Sequence, residues 1–436
     1  MLMGEVFTLA SLPNELLSSI AAYLDHRDRV TSTHLCRRLR TVITGDARLW
    51  NRIVWQCGED PYVVGTAISN PDALMLAIER AGSIPFHLQL RVHKPLDPDH
   101  VAQCLATFHV QAPKLRALEI LMQNYVVVGC VELLPVMPNV QHLALEAQFS
   151  NRLTPSFSSL FITEEHNPAP ALRTLRASLF RWNHVVRSTL LQSLTALDVE
   201  LYMPTASEIR NILISCPDLR LLRVALHGDT DEDELGLMPI DTNLRSLSIQ
   251  CTDTPDCVMS AINTSVIKDL LLRAPDPFSI FDDLSGDALS LCVTPNFEDG
   301  ASLRASDSCG FTRTADVVPF SALPEELADR VTRIEIAHCL LGSLSGLAFP
   351  SLQEVVVTAF GTLCPKAPRL EEVDVPCLHT ARLVGALRAL ATPSFDTVAN
   401  ALQPFGRIPR LVLSHMPLSK SNMARLHQLA DDVVLS

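Results

Sequence analysis

The chain has 436 residues, 47% hydrophobic and 19% charged, with 68 leucines against only 5% aromatics. That excludes a disordered chain and calls for a core of thin aliphatic layers, in two to four domains unless a repeat array breaks the length rule. A formal charge of −13 argues against nucleic-acid binding by bulk electrostatics, which needs clustered Lys and Arg. Twelve Cys with no CxxC pair are too sparse for a disulfide scaffold, so reduced thiols and a cytoplasmic or nuclear setting are expected. Glu5 precedes the first apolar stretch in place of a basic region, and the apolar run 125–131 ends far short of the ~20 residues of a membrane span. No signal peptide and no membrane association are expected.

Residues 9–55 stand apart from the rest. Pro13 occupies a position that a first helical turn tolerates, and Leu16, Leu17, Ile20 and Leu24 follow at three- and four-residue spacing, which predicts a short amphipathic helix. After the polar break Asp25-His26-Arg27-Asp28, a second periodic segment sets Val30, Leu35, Leu39 and Val42 among Arg37, Arg38 and Arg40. Leu49-Trp50 and Ile53 close the unit. Three small helices in under 50 residues have too little interior to bury every apolar side chain they carry.

Residues 56–110 read as a linker with capping helices, and residues 111–436 as a repeat array with an irregular loop region at about 274–330. The array is announced by L-x-x-L-x-L signals behind a proline or polar turn, at Leu115, Val140, Leu194, Leu219 and Leu244, with weaker copies at Leu172 and Ile267. Successive first positions lie 25, 32, 22, 25, 25 and 23 residues apart, which brackets the leucine-rich repeat period. Weaker copies start at Val331, Leu352, Leu370 and Ile408. Helical stretches such as Val101-Leu105-Phe108 and Ile209-Ile212-Leu213 end just ahead of a proline. Between Arg273 and Val331 the phase is lost: Leu289, Leu291 and Val293 make an unclean copy among Asp, Gly and Ser breaks.

No catalytic motif is present. Gly342-Ser343-Leu344-Ser345-Gly346 has Leu where a nucleophile elbow needs its Ser, and His338-Cys339 and Cys377-Leu378-His379 lack a second ligand pair. No enzyme activity, metal or cofactor is expected.

The order Ser11-Leu12-Pro13-Asn14-Glu15-Leu16-Leu17, Ile20, Tyr23-Leu24, Asp28, Val30, Cys36-Arg37-Arg38-Leu39-Arg40, Leu49-Trp50, Ile53 resembles an F-box over about 45 residues. Leu323-Pro324-Glu325-Glu326-Leu327 opens the same way but lacks the remaining parts and reads as a helix start before a strand at Val331. The resemblance implies docking on a Skp-type adaptor, and through it a cullin complex, by Leu12, Pro13, Glu15, Leu16, Ile20, Leu24, Val30, Cys36, Leu49 and Trp50. With the repeats it implies an α/β fold: a three-helix F-box followed by a curved leucine-rich-repeat solenoid that holds a protein substrate. The expected function is the non-catalytic substrate-recognition subunit of an SCF-type cullin-RING ubiquitin ligase. A repeat scaffold that binds the adaptor without a cullin is the alternative.

Strand alternation places Glu119, His142, Arg176, Asp198 and Arg223 on the open face of the early repeats, and Arg333, Glu335, Glu354, Glu372 and Asp374 on that of the late ones. Arg176, Arg223, Glu335, Glu354, Glu372 and Asp374 are the candidate substrate contacts. The late half reads as acidic, suited to a basic partner segment, or as mixed charge that keeps an exposed sheet soluble.

Overall fold

The computed structural model describes residues 12–57, 71–92, 110–123, 136–148, 169–178, 189–202, 204–228, 239–252, 255–275, 277–286, 288–295, 301–318, 323, 325–344, 346–360, 373–385, 395–416 and 420–435. It is a mixed α/β structure in which N-terminal helices are followed by a large sheet. The chain divides into two compact units, one holding residues up to 227 and one holding those from 238 onward. Among the described residues no helix is long and apolar enough to cross a membrane.

The first unit opens with α1 (Asn14–Ala22), α2 (His26–Leu35) and α3 (Arg37–Gly45), then a 3-10 turn at Ala47–Trp50. The segment that reads as one periodic run from Val30 to Val42 is broken at Cys36, whose extended backbone ends α2 and whose Sγ accepts from Leu39 N to start α3. The sheet begins earlier than the repeat signal suggests. It comprises β1 (Arg52–Cys57), β2 (Phe86–Val92), β3 (Leu115–Gln123), β4 (His142–Gln148), β5 (Thr174–Ala177), β6 (Ala196–Tyr202) and β7 (Leu221–His227), each parallel to the next in chain order. A further helix, α4 (Pro71–Ala81), stands between β1 and β2.

The in-register pairing aligns Ile53, Leu88, Leu118, Leu143, Leu175, Leu197 and Leu222 in one row and Trp55, Leu90, Ile120, Leu145, Ala177, Val199 and Val224 in the next. All are buried, so every strand adds two side chains to a continuous aliphatic ladder, at roughly 1.5–3 kcal/mol for each large one. The first apolar residue of several signals sits just before its strand, whereas Leu115 opens β3 itself. Val140, Leu172, Leu194 and Leu219 each donate their backbone N–H to the carbonyl three residues back, at 3.0–3.2 Å, which turns the chain into the next strand. Pro217 ends the helix Ala206–Ser215 as expected, and a Thr205–Glu208 capping box starts it. The helical reading around Val101 to Phe108 lies outside the described residues.

The second unit holds β8 (Ser246–Cys251), β9 (Asp269–Arg273), β10 (Leu289–Pro295), β11 (Ala301–Ser306), β12 (Thr312–Val318), β13 (Val331–Ala337), β14 (Glu354–Phe360), β15 (Thr380–Gly385), β16 (Ile408–Ser414) and β17 (Ala430–Leu435). Their spatial order is 8-9-12-11-10-13-14-15-16-17, with β11 antiparallel to both neighbours and the other pairs parallel. The span 274–330 is therefore no long loop. A β10–β11–β12 meander is inserted between β9 and β13, and Leu289, Leu291 and Val293 are full ladder members, 0–1% exposed. The Ser306-Asp307-Ser308 break is its hairpin turn. Asp307 Oδ1 accepts from Cys309 N and Phe311 N at 2.9 Å each, and Gly310 supplies a φ of 81° that other residues rarely adopt.

One late expectation changes. Of the copy begun at Leu370, Leu370 itself lies outside the described residues, and Val373 and Val375 do not supply the ladder. Ala381 and Leu383 of β15 do, behind a turn at Leu378, while Val373 is followed by an isolated bridge from Asp374 to Ala348. Alanine at a ladder position hid this strand. The reading of Leu323 to Leu327 stands, because a helix at Glu325–Arg330 runs straight into β13.

At the end of β15, a Cβ on Gly385 would collide with the carbonyl oxygen of His415 and lie 3.1 Å from Met416 Cγ. His415 itself has a positive φ of 56°, so the backbone opposite has little freedom to retreat. Gly385→Ala is expected to lower stability by about 1–3 kcal/mol, read as a lower urea midpoint with an unchanged slope.

Candidate functional site: the N-terminal helical module

Leu17 and Ala21 of α1, Leu39 and Ile43 of α3, and Leu49 and Trp50 of the 3-10 turn form the interior of the module. Trp50 Nε1 donates to Ile43 O at 2.8 Å. The Arg80 guanidinium of α4 lies 4.5 Å over its ring, and His26 meets it edge-on at 5.5 Å. Leu49 and Trp50, 5% and 1% exposed, are thus corrected from adaptor contacts to core: their surfaces are already spent inside the chain.

Polar staples complete the module. Arg29 Nε donates to Ala21 O and Leu24 O at 3.1 and 3.0 Å, Nη2 donates to Leu24 O at 2.7 Å, and Nη1 donates to Leu49 O. One side chain therefore satisfies the carbonyls at the end of α1 and holds them to the 3-10 turn. Asp46 accepts from Ser18 Oγ of α1 and pairs with Arg48. The Arg48 hydrogen bond holds the Asp46 carboxyl well below the usual carboxylate range, against the opposing effect of burial. Arg38 donates to Leu12 O at 2.6 Å and to Asn14 Oδ1 at 3.0 Å, and Arg40 donates to Thr33 O at 3.0 Å, so these arginines do more than coat a solvated face.

Sequence reasoning missed Arg29, which directly follows the polar break Asp25-His26-Arg27-Asp28. Its signal was the weak apolar character of α2, whose Val30 and Leu35 stay outside the core and whose one buried residue is Thr33, so that the helix needs a polar anchor instead. Arg29→Ala takes the side-chain donor from Ala21 O, Leu24 O and Leu49 O at once, leaving Ala21 O only its bond from Leu24 N. A loss of about 2–4 kcal/mol is expected, read as a lower denaturation midpoint for the helical module.

His26 titrates far from its ordinary value. Burial first, then the Arg29 and Arg80 guanidinium groups, push it down from 6.5 to about 4, with Asp25 opposing. Above about pH 6.5 it is neutral in both the folded and the unfolded chain. As pH falls from there towards 4, the unfolded chain takes up a proton that the fold refuses, and stability drops across that window. His26→Gln is expected to flatten the fall in urea midpoint between pH 6.5 and 4.

With the interior filled, α1 still carries a second apolar face. Leu16, Ile20 and Tyr23, at i, i+4 and i+7, share one stripe and are 50%, 41% and 93% exposed, and Leu35 at the end of α2 is 69% exposed. Singly exposed apolar residues are ordinary, but three on one helical stripe are not. Of the other expected contacts, Pro13, Glu15 and Cys36 are exposed and Leu12, Leu24 and Val30 are half-buried. Tyr23 and Leu35 were absent from the expected set, although Tyr23 falls on the same period as Leu16 and Ile20.

The strand-face candidates behave differently. Arg176 lies between Glu146 and Asp198 at 3.0 and 3.7 Å, and Arg223 is exposed with no ion pair among the described residues. In the second unit Arg333 pairs with Glu335 and Glu354 at 3.8 and 3.2 Å, Arg382 with Glu354 at 3.8 Å, and Arg410 with Asp432 at 3.6 Å. The acidic reading of the late half is therefore corrected: Arg382 and Arg410, on strands the repeat signal misread or left uncounted for charge, alternate with the carboxylates. Asp374 is exposed in its isolated bridge, outside the strand rows, and Glu372 lies outside the described residues. No group of three His, Cys, Asp or Glu suited to a metal ion occurs among the described residues.

Residues 9–55 match the F-box-like family, so the chain carries an F-box-like domain over the helical module. F-box-like domains bind Skp-type adaptors, and the class suggests an adaptor-binding substrate receptor in general. No curated protein matches the chain.

Proposed function

We propose that this chain is the substrate-recognition subunit of an SCF-type cullin-RING ubiquitin ligase. The observation that carries the reading is the Leu16-Ile20-Tyr23 stripe, left uncovered on a module that matches the F-box-like family. Docking that stripe on a Skp-type adaptor would place the chain on a cullin. The parallel strands with their aligned leucine rows and recurring turn support reading the remainder as a divergent leucine-rich-repeat solenoid, whose open strand face holds a protein substrate in the cytoplasm or nucleus. The chain acts without chemistry of its own. It raises the effective concentration of target lysines near a ubiquitin-charged enzyme.

The test is affinity purification of the full chain beside a Leu12→Ala/Pro13→Ala variant. Adaptor and cullin together with the wild type, and neither with the variant, are the expected result. Adaptor without cullin would transfer the reading to a non-ligase scaffold, and equal adaptor recovery with both forms would remove the docking site.

A further inference from the structure

A cavity of about 530 Å³ opens in the second unit, between the 3-10 turn Phe278–Phe281 and the helix that leads into β13. Its lining is Phe278, Ser279, Phe281, Asp282, Glu326, Leu327 and Arg330. Phe281 and Leu327 are buried and form an apolar floor beside Phe278, whose ring centroid lies 6.3 Å from that of Phe281. Asp282 and Glu326 are exposed at the rim and have no ion-pair partner among the described residues. Arg330, the cation among the described lining residues, is already engaged: Nε donates to Gly286 O at 3.2 Å, and Nη2 donates to Gly286 O at 3.0 Å and to Leu284 O, so these two nitrogens face the backbone.

We infer that this cavity binds an arginine side chain presented by a partner peptide. An aliphatic stem suits the floor of Phe281 and Leu327, and a flat, weakly hydrated guanidinium stacks on the Phe278 ring while donating to the exposed Asp282 and Glu326 carboxylates. A lysine ammonium offers neither the plane nor the fork. The volume exceeds one side chain and leaves room for the flanking peptide backbone. Among the described lining residues Ser279 is the sole hydroxyl and none is a histidine or lysine base, so the pocket reads as built to bind. The site owes nothing to the adaptor stripe and stands independently of the ligase reading.

Fluorescence anisotropy on the full chain tests it, with a labelled acetyl-Gly-Gly-Arg-Gly-Gly-amide peptide and its citrulline counterpart, which keeps the shape and drops the charge. The arginine peptide is expected to bind at least about tenfold more tightly than the citrulline one. Asp282→Asn with Glu326→Gln, both at exposed positions, should erase that preference. Phe278→Ala should weaken arginine binding severalfold, and Leu16→Asp with Ile20→Asp should leave it unchanged. Equal affinity for the two peptides, binding of neither, or an undiminished preference in the neutralised variant overturns the inference.

Discussion

Leu16→Asp with Ile20→Asp is expected to leave the fold intact and to weaken binding of a Skp-type adaptor by at least about 100-fold in isothermal titration. Both side chains are half exposed in the free chain, so the new carboxylates remain in water and stability changes little. At an interface each aliphatic side chain is worth up to roughly 1.5–3 kcal/mol, and about 1.4 kcal/mol is a factor of ten. Two lost contacts, with two carboxylates facing an apolar partner surface, reach that factor without any change in the rest of the interface. Leu17→Asp offers the contrast. It points inward, 2% exposed, and is expected to unfold the module rather than to weaken docking alone.

Arg313→Ala is expected to destabilise the second unit by about 3–5 kcal/mol, read as a large fall in urea midpoint. Arg313 stands in the leucine ladder, in register with Leu270 of β9 and Ala305 of β11, and is 0% exposed. Its stem fills the volume left by the small Ala305. Its Nη1 donates to Ile267 O at 2.8 Å and Thr312 O at 3.1 Å, and Nη2 donates to Thr264 O at 3.1 Å. Removal leaves a cavity, takes the side-chain donor from Ile267 O, and leaves Thr264 O only its bond from Ile267 N in the turn that leads into β9. Arg313→Met restores the stem without the donors and is expected to recover part of the loss. If alanine were neutral, Arg313 would not be what joins the meander to β9.

This arginine also shows where sequence patterning runs out. The ladder is legible wherever Leu, Ile or Val recur in phase, which is why β3 to β9 stand out. Arg313 and Ala315 in β12, Ala301 and Ala305 in β11, and Ala381 in β15 break the pattern while keeping the geometry. A long stem or a small residue opposite a larger neighbour fills the same row, and only the register reveals the compensation. In the helical module the motif order located the unit, and the 3.6-residue period placed Leu16 and Leu17 on one helix. It could not say which of two adjacent leucines turned inward, because that choice depends on Trp50 and Ile43 across the core. The same packing withdrew Leu49 and Trp50 from the surface. Charge was the least legible property: carboxylates read along single strands looked unpaired, whereas Arg333, Arg382 and Arg410 meet carboxylates on their own or neighbouring strands.

The central claim is that the outer stripe of α1 exists to be covered by another chain. Hydrogen exchange of the full chain, with and without a Skp-type adaptor, tests it most directly. The account predicts added protection over Asn14–Ala22 and at the end of α2, with the strands unchanged. Unaltered exchange throughout the helical module, or protection confined to the open strand face, would contradict it.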